Sequence, residues 1–224
     1  MKYSYSINRR ITPQNIFSFN FCGSVKGKDI LDIGCSFGWF EKKVLEKGAK
    51  RVVGIEPKEE FFYGAKKEVP EAEFKLGSAT KIPFKDESFD MVVMFEVLEH
   101  LSAGTERQAF KEIHRVLKPG GKLVMSTPNK SLFSCLLDPA WYFGHRHYTG
   151  SDLIDMIQKE GFVIEKMIIK GGFWELISVI SHYIFKWIFK SEDPFRNFFA
   201  KKTAMELKEK NGFNSIFLKA VKKI

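Results

Sequence analysis

Between residues 29 and 127 short apolar runs alternate with stretches of helical period, and no other feature restricts the chain as tightly. Strands are expected at 29–33 (DILDI), 51–55 (RVVGI), 72–76 (AEFKL), 89–95 (FDMVVMF) and 122–127 (KLVMST), with helices near 38–47, 58–67 and 105–117. Such alternation is the sign of a parallel sheet covered by helices. The third helix should stop at KPGG, 118–121, where a basic residue, a proline and two glycines stand together. Further on, Thr149 and Asp152 fit a capping box opening a helix near 150–160, FVIEKMII (162–169) reads as a sixth strand, and the tail NSIFLKAVKKI as a seventh. Between the fifth strand and that helix, PNKSLFSCLLDPAWYFGHRHYTG has no clear period and exceeds the usual structureless connection. A loop of that kind is expected to be functional or partly ordered over a site.

With 224 residues the chain suits a single domain, 1–224, able to bury a core of its own. Cys22, Cys35 and Cys135 are far apart and form no C-x-x-C pair, so neither a disulfide framework nor a metal site is expected. The opening MKYSYSINRR is polar where a signal peptide needs an apolar stretch, which points to a cytoplasmic location. The net charge of +9 admits nucleic acid, an anionic membrane surface or mere solubility. From Lys186 onward ten Lys/Arg stand against four Asp/Glu, so the excess gathers in the C-terminal part.

LDIGCSFGWF, 31–40, supplies the first site residues. Asp32 and Gly34 fall where a buried strand ends, the edge at which open α/β sheets bind ligands. Gly34 and Gly38 should let a ligand approach the main chain, at the N-terminus of the next helix. A dinucleotide fingerprint needs a glycine where Ser36 stands, and no phosphate-binding G-x-x-x-x-G-K-[ST] loop follows, so the expected ligand has no phosphate clamp. Glu56 ends the second strand 24 residues after Asp32, close to the spacing at which a carboxylate accepts from ribose hydroxyls.

LDIGCSFGWF, GIEP, LGSATKIPFKDESFDMVVMFEVLEHL and HRVLKPGGKLVMSTPN occur in the order and spacing of class I S-adenosylmethionine-dependent methyltransferases, which the chain resembles over roughly residues 28–130. GHRHYTGSDLIDMIQKEGF is similar to the segment after the fifth strand in the small-molecule and quinone-type branch. The resemblance implies a Rossmann-like, doubly wound, mostly parallel seven-stranded sheet with an antiparallel last strand and a C-terminal helical insertion. It implies a cofactor-binding core at 28–130 and an acceptor-side lid and C-terminal part at 131–224. S-adenosyl-L-methionine is the implied cofactor. Asp32, Gly34 and Gly38 would line its methionine end, with Cys35 inside the same loop. Glu56 would bind both ribose hydroxyls with Pro57 beside the adenine, Ser78 and Ala79 would edge the adenine, and Phe95 and Glu96 would touch the methionine moiety. Ser36 and Ser78 depart from the family, which commonly has glycine and aspartate there; a serine accepts a hydrogen bond but brings no charge.

Three histidines are candidates for a base at the acceptor: His100 in EVLEHL and His145 and His147 in GHRHY, where they flank Arg146 and a substrate anion or carbonyl could sit. Each has a structural reading beside the catalytic one. His182 lies in the aromatic segment and His114 on a helix. FWELISVISHYIFKWIFK, 173–190, places Glu175, Ser178, His182, Lys186 and Lys190 on one stripe of an expected amphipathic helix. It is too polar to span a bilayer. Its apolar face could be a lid on the core, a dimer interface, or a contact with a membrane or a lipid-like acceptor. The leading expectation is methyl transfer to a small hydrophobic acceptor, oxygen favoured. The alternatives are an RNA methyltransferase and a non-catalytic, membrane-associated S-adenosylmethionine-binding protein.

Overall fold

The apolar runs of the first half lie side by side in one sheet. In the computed structural model, which describes residues 11–223, β1 (Asp29–Ile33), β2 (Arg51–Glu56), β3 (Glu73–Leu76), β4 (Phe89–Phe95) and β5 (Leu117–Pro128) are parallel neighbours in the order β3-β2-β1-β4-β5. β7 (Ser215–Lys222) inserts antiparallel between β5 and β6 (Phe162–Lys170), giving seven strands in the order β3-β2-β1-β4-β5-β7-β6. The expected sheet, with its antiparallel last strand, is the one observed. The polar start Met1–Arg10 lies outside the described residues.

Side chains alternate across each strand, so neighbouring residues enter opposite layers. Leu31, Ile33, Val53 and Ile55 pack in one core with Phe110 of α4 (Glu106–Val116). Ile30, Val52, Met91 and Val93 pack in the other with Phe40 and Val44 of α2 (Trp39–Glu46). α3 (Glu59–Glu68) follows β2, and α6 (Gly150–Lys159) precedes β6 with Thr149 Oγ1 accepting from the Asp152 amide at 3.1 Å, the expected capping box. α1 (Pro13–Cys22), which periodicity did not reveal, is capped by Thr12 and sets Phe17 against Phe217 of β7 at 4.7 Å.

Two expectations need correction, and the connection after β5, expected to be functional or partly ordered, is ordered. KPGG does not close α4: the helix ends at Val116, Leu117 already pairs with Phe89, and 118–121 form a bulge before Lys122 pairs with Met91. Lys118 is held there by Asp90 Oδ1 (2.8 Å) and Asp29 Oδ2 (3.1 Å), partners across the sheet that a local reading cannot see. The long connection after β5 is ordered into α5 (Leu132–Leu137), capped by Ser131, and a 3-10 turn, Pro139–Phe143. Segment 173–190 is also not one helix. α7 (Phe173–Ile184) runs into a π turn, Phe185–Phe189, ends at left-handed Lys190 (φ 49°), and is followed by α8 (Arg196–Glu206). Its stripe does not face water as a unit, since Glu175 is 6% exposed and donates nothing to the surface. α7 has no side-chain cap of its own; Glu206 of α8 accepts from the Trp174 and Glu175 amides at 2.9 and 3.1 Å. No helix among the described residues is long and apolar enough to cross a membrane.

Candidate functional site

At the carboxyl end of β1 the chain turns through three left-handed residues, Gly34 (φ 77°), Ser36 (φ 49°) and Gly38 (φ 81°), before α2 begins. The glycines answer to protein packing as well as to φ. A Cβ on Gly34 would lie 2.4 Å from Val97 Cγ2, and one on Gly38 3.1 Å from Val69 Cγ2. The direction a Cβ would take at each glycine is therefore filled by side chains of the protein. Gly34 and Cys35 donate their amides to the Ile55 carbonyl at 2.8 and 3.2 Å, seating the loop on the end of β2. Glu56 completes the join: its Oε2 accepts from the Ser36 amide and its Oε1 from the Lys58 amide, both at 3.1 Å. Each carboxylate oxygen keeps lone-pair capacity for a further donor.

Glu56 (5% exposed) stands with Asp32 (3%) and with Glu41 (0%), which α2 turns inward under the loop. Neither Glu41 oxygen makes a hydrogen bond of ordinary geometry, and its contact with the Asp32 carboxyl is looser and electrostatic. Burial first, then Glu41, then Glu56, raise the Asp32 carboxyl well above the usual range, and burial pushes Glu41 up to about 8. Among the described residues no Lys or Arg side chain forms an ion pair with any of the three. The Cys35 side chain is withdrawn beneath Gly54 and 1% exposed; burial, then Glu41 and Asp32, raise its thiol far above the ordinary value, so it is no nucleophile.

The neighbouring strand ends bring the other expected residues to the same edge. Leu76 of β3 is in register with Glu56, placing Ser78 and buried Ala79 just beyond it, while Pro57 is exposed. The Ser78 hydroxyl is 3.0 Å from Thr80 Oγ1 and 3.3 Å from the Thr80 amide, closing its own turn. Phe95 packs edge-on against Phe40 at 5.6 Å. Glu96 holds a left-handed φ of 54°, a conformation that costs energy for a non-glycine residue, and its Oε1 accepts from Ser126 Oγ at 2.6 Å. Burial raises Glu96 to about 7, with the Ser126 hydrogen bond opposing and Asp138 adding to the rise. Glu99, 3% exposed, accepts from Thr127 Oγ1 at 3.0 Å, and burial followed by Glu96 raises it well above the usual range.

The histidines divide. His100 and His145 meet edge to face at 4.3 Å, and partial burial of the ring, then His145 and Lys58, push His100 down to about 4. His147 is buried, its Nε2 3.1 Å from Asp138 Oδ2 and its ring 4.9 Å from that of Trp141. Arg146 is not open to a substrate anion: its guanidinium binds Glu106 and the Leu98 and Leu101 carbonyls, fastening the connection to the turn after β4. His182 lies apart on α7 and His114 packs on Phe162. Sequence reasoning missed Glu41, Glu99 and Asp138. Glu41 had a signal, since it occupies an inward position of α2 among Phe37, Phe40 and Val44. Asp138 and Glu99 had none, because their partners come from distant segments.

Residues 31–125 match a family model described as "Methyltransferase domain". A "probable S-adenosylmethionine-dependent methyltransferase" of Mycolicibacterium smegmatis is 33% identical over 140 residues, covering 62% of this chain and 53% of that protein. A tRNA U34 carboxymethyltransferase of Desulfotalea psychrophila is 30% identical over 153 residues, covering 62% and 46%. The chain thus spans about half the length of the curated relatives it matches. Among solved structures, an S-adenosylmethionine-dependent methyltransferase from Mesorhizobium loti superposes with a TM-score of 0.68 at 18% identity, covering 97% of this chain and all of that one, a likeness of fold.

Proposed function

We propose that the chain, whose residues 31–125 match the methyltransferase domain model, is a class I S-adenosylmethionine-dependent methyltransferase acting on a small, hydrophobic acceptor, at oxygen in preference to carbon or nitrogen. The observation that supports the cofactor part of this reading is the acidic cradle of Asp32 and Glu56, buried at the ends of two adjacent strands, with Glu41 of α2 beneath them and without a basic partner among the described residues. A ligand that is cationic, has ribose hydroxyls and lacks phosphate suits it, because a positive charge beside these raised carboxyls favours their ionised form. S-adenosylmethionine, when bound, supplies a methyl group already activated on sulfonium. Glu56 accepts from the ribose hydroxyls with the lone pairs its two amide contacts leave. Asp32 faces the methionine end, and the Ser78–Ala79 turn borders the adenine.

The protein's remaining work is to hold the acceptor in line, exclude water and take a proton where the acceptor is a hydroxyl. Glu96 is the group best matched to that last task. Its carboxyl is raised to about 7, near working pH, and Ser126 orients it beside the acceptor-side segment that carries His145 and His147. His100 is an imidazole held neutral in the same turn, a weaker base. His147, buried on Asp138, positions the segment.

Calorimetry tests the cofactor claim. Charged hydrogen bonds contribute about 1.5–3 kcal/mol each, so Glu56→Ala should weaken S-adenosylmethionine binding at least tenfold, and Asp32→Ala should weaken it as well. Absence of binding by the unaltered chain would sink the reading. An RNA acceptor is the second reading, favoured by the +9 net charge and the tRNA-directed relative.

A further inference from the structure

α7 leaves part of its apolar surface uncovered. It packs Leu176 inward and half-buries Trp174, Val179 and Ile180, yet presents Phe173, Ile177, Ile184 and, within the π turn, Ile188 to the outside, with 47%, 41%, 40% and 70% of their surfaces exposed. Those positions are four or seven residues apart and make one stripe. The stripe does not stand alone. Phe133 of α5 meets Phe173 at 5.1 Å, and Phe143 of the 3-10 turn meets Trp187 at 5.1 Å, so three elements share one continuous aromatic and aliphatic face. Leu132, Leu136 and Tyr142 widen it, each more than half exposed. A soluble surface scatters such residues; a contiguous patch marks an interaction site.

The charge around this face identifies what it meets. Lys186 and Lys190 are exposed within the π turn and at its end, and exposed Lys130 precedes α5. Across 185–205 five Lys/Arg stand against two acids, and Asp193, one of the two, accepts from the Phe195 amide at 2.8 Å. We propose that this face docks on an anionic bilayer surface, the aromatic and aliphatic side chains entering the headgroup boundary and the lysines meeting lipid phosphates. Trp, Tyr, Phe and Lys are the residues such an interface favours. A second copy fits less well, because a two-fold contact sets a patch against itself and would bring the net positive charge of 185–205 close to its own copy. Docking would also bring the segment that carries His145 and Asp138 toward the hydrocarbon boundary. The proposal does not depend on methyl transfer, since it concerns binding alone.

Vesicle sedimentation of the full chain tests it. Vesicles of phosphatidylcholine mixed with phosphatidylglycerol should carry the protein into the pellet at about 0.1 M salt, and pure phosphatidylcholine at least tenfold less. Ile188→Glu should abolish pelleting. Lys186→Glu with Lys190→Glu should weaken it at least tenfold, and both variants should keep the unaltered thermal melting profile because the changed residues are exposed. The proposal is overturned if mixed vesicles pellet no protein, if both vesicle types pellet it equally, or if Ile188→Glu pellets as the unaltered chain does. A dimer in sedimentation velocity that Ile188→Glu splits would assign the face to a second copy and overturn it as well.

Discussion

At the scale of single residues, carboxylates dominate the strand ends, and each is set apart by its surroundings. Glu96 is the one expected to leave a kinetic signature. Its acid form persists to about 7, so kcat for a hydroxyl acceptor should rise with pH through that region as the carboxyl ionises. Glu96→Gln should lower kcat by about 10²-fold or more and erase that inflection, whereas His100→Gln should leave it in place; a pH–rate profile of each variant decides. Asp32 and Glu56 were legible because strand ends in an α/β sheet are where carboxylates meet ligands, and the spacing was visible in the sequence. Glu41 was harder: an acid on an inward helical position looks like an error in the pattern until Asp32 is seen beside it. The reasons for the glycines were illegible, since Val97, Val69 and Phe74 reach them from other elements.

At the scale of elements, the runs that alternate in sequence were readable because each strand and crossover helix buries one contiguous stretch. What escaped depends on tertiary partners. The start of α7 at Phe173 was read from the apolar period, but the Glu206 carboxylate that caps it belongs to α8, a partner no local signal reveals. Glu175, in the first turn of α7, is buried, accepts from Ser215 Oγ at 3.2 Å, and is raised to about 8 chiefly by burial. The sign follows from linkage. Between pH 4.5 and 8 the folded chain keeps a proton that the unfolded chain releases, so stability falls as pH rises, by at most about 1.4 kcal/mol per pH unit for one such group. Glu175→Gln should therefore be more stable than the unaltered chain at pH 8 and show a flatter decline from pH 5, as measured by urea denaturation.

At the scale of the molecule, the resemblance implied a mostly parallel seven-stranded sheet with an antiparallel last strand, and that is the sheet observed, whereas α5 and the 3-10 turn beyond β5 carried no period in the sequence. The excess of positive charge gathers in the C-terminal part of the sequence. With a small acceptor, tRNA should show no saturable binding at physiological salt; tight binding with a steep salt dependence would move the acceptor to RNA. One feature of the fold bears on how such a chain changes over time. The Phe213 amide donates to the Gly171 carbonyl at 3.0 Å, so the excursion holding α7 and α8 departs from and rejoins the sheet at one hydrogen-bonded neck. Lengthening a closed loop adds entropy only as the logarithm of its length. Residues added within that excursion should therefore leave the pairing of the sheet unchanged, since the neck and not the length of the loop holds its two ends together.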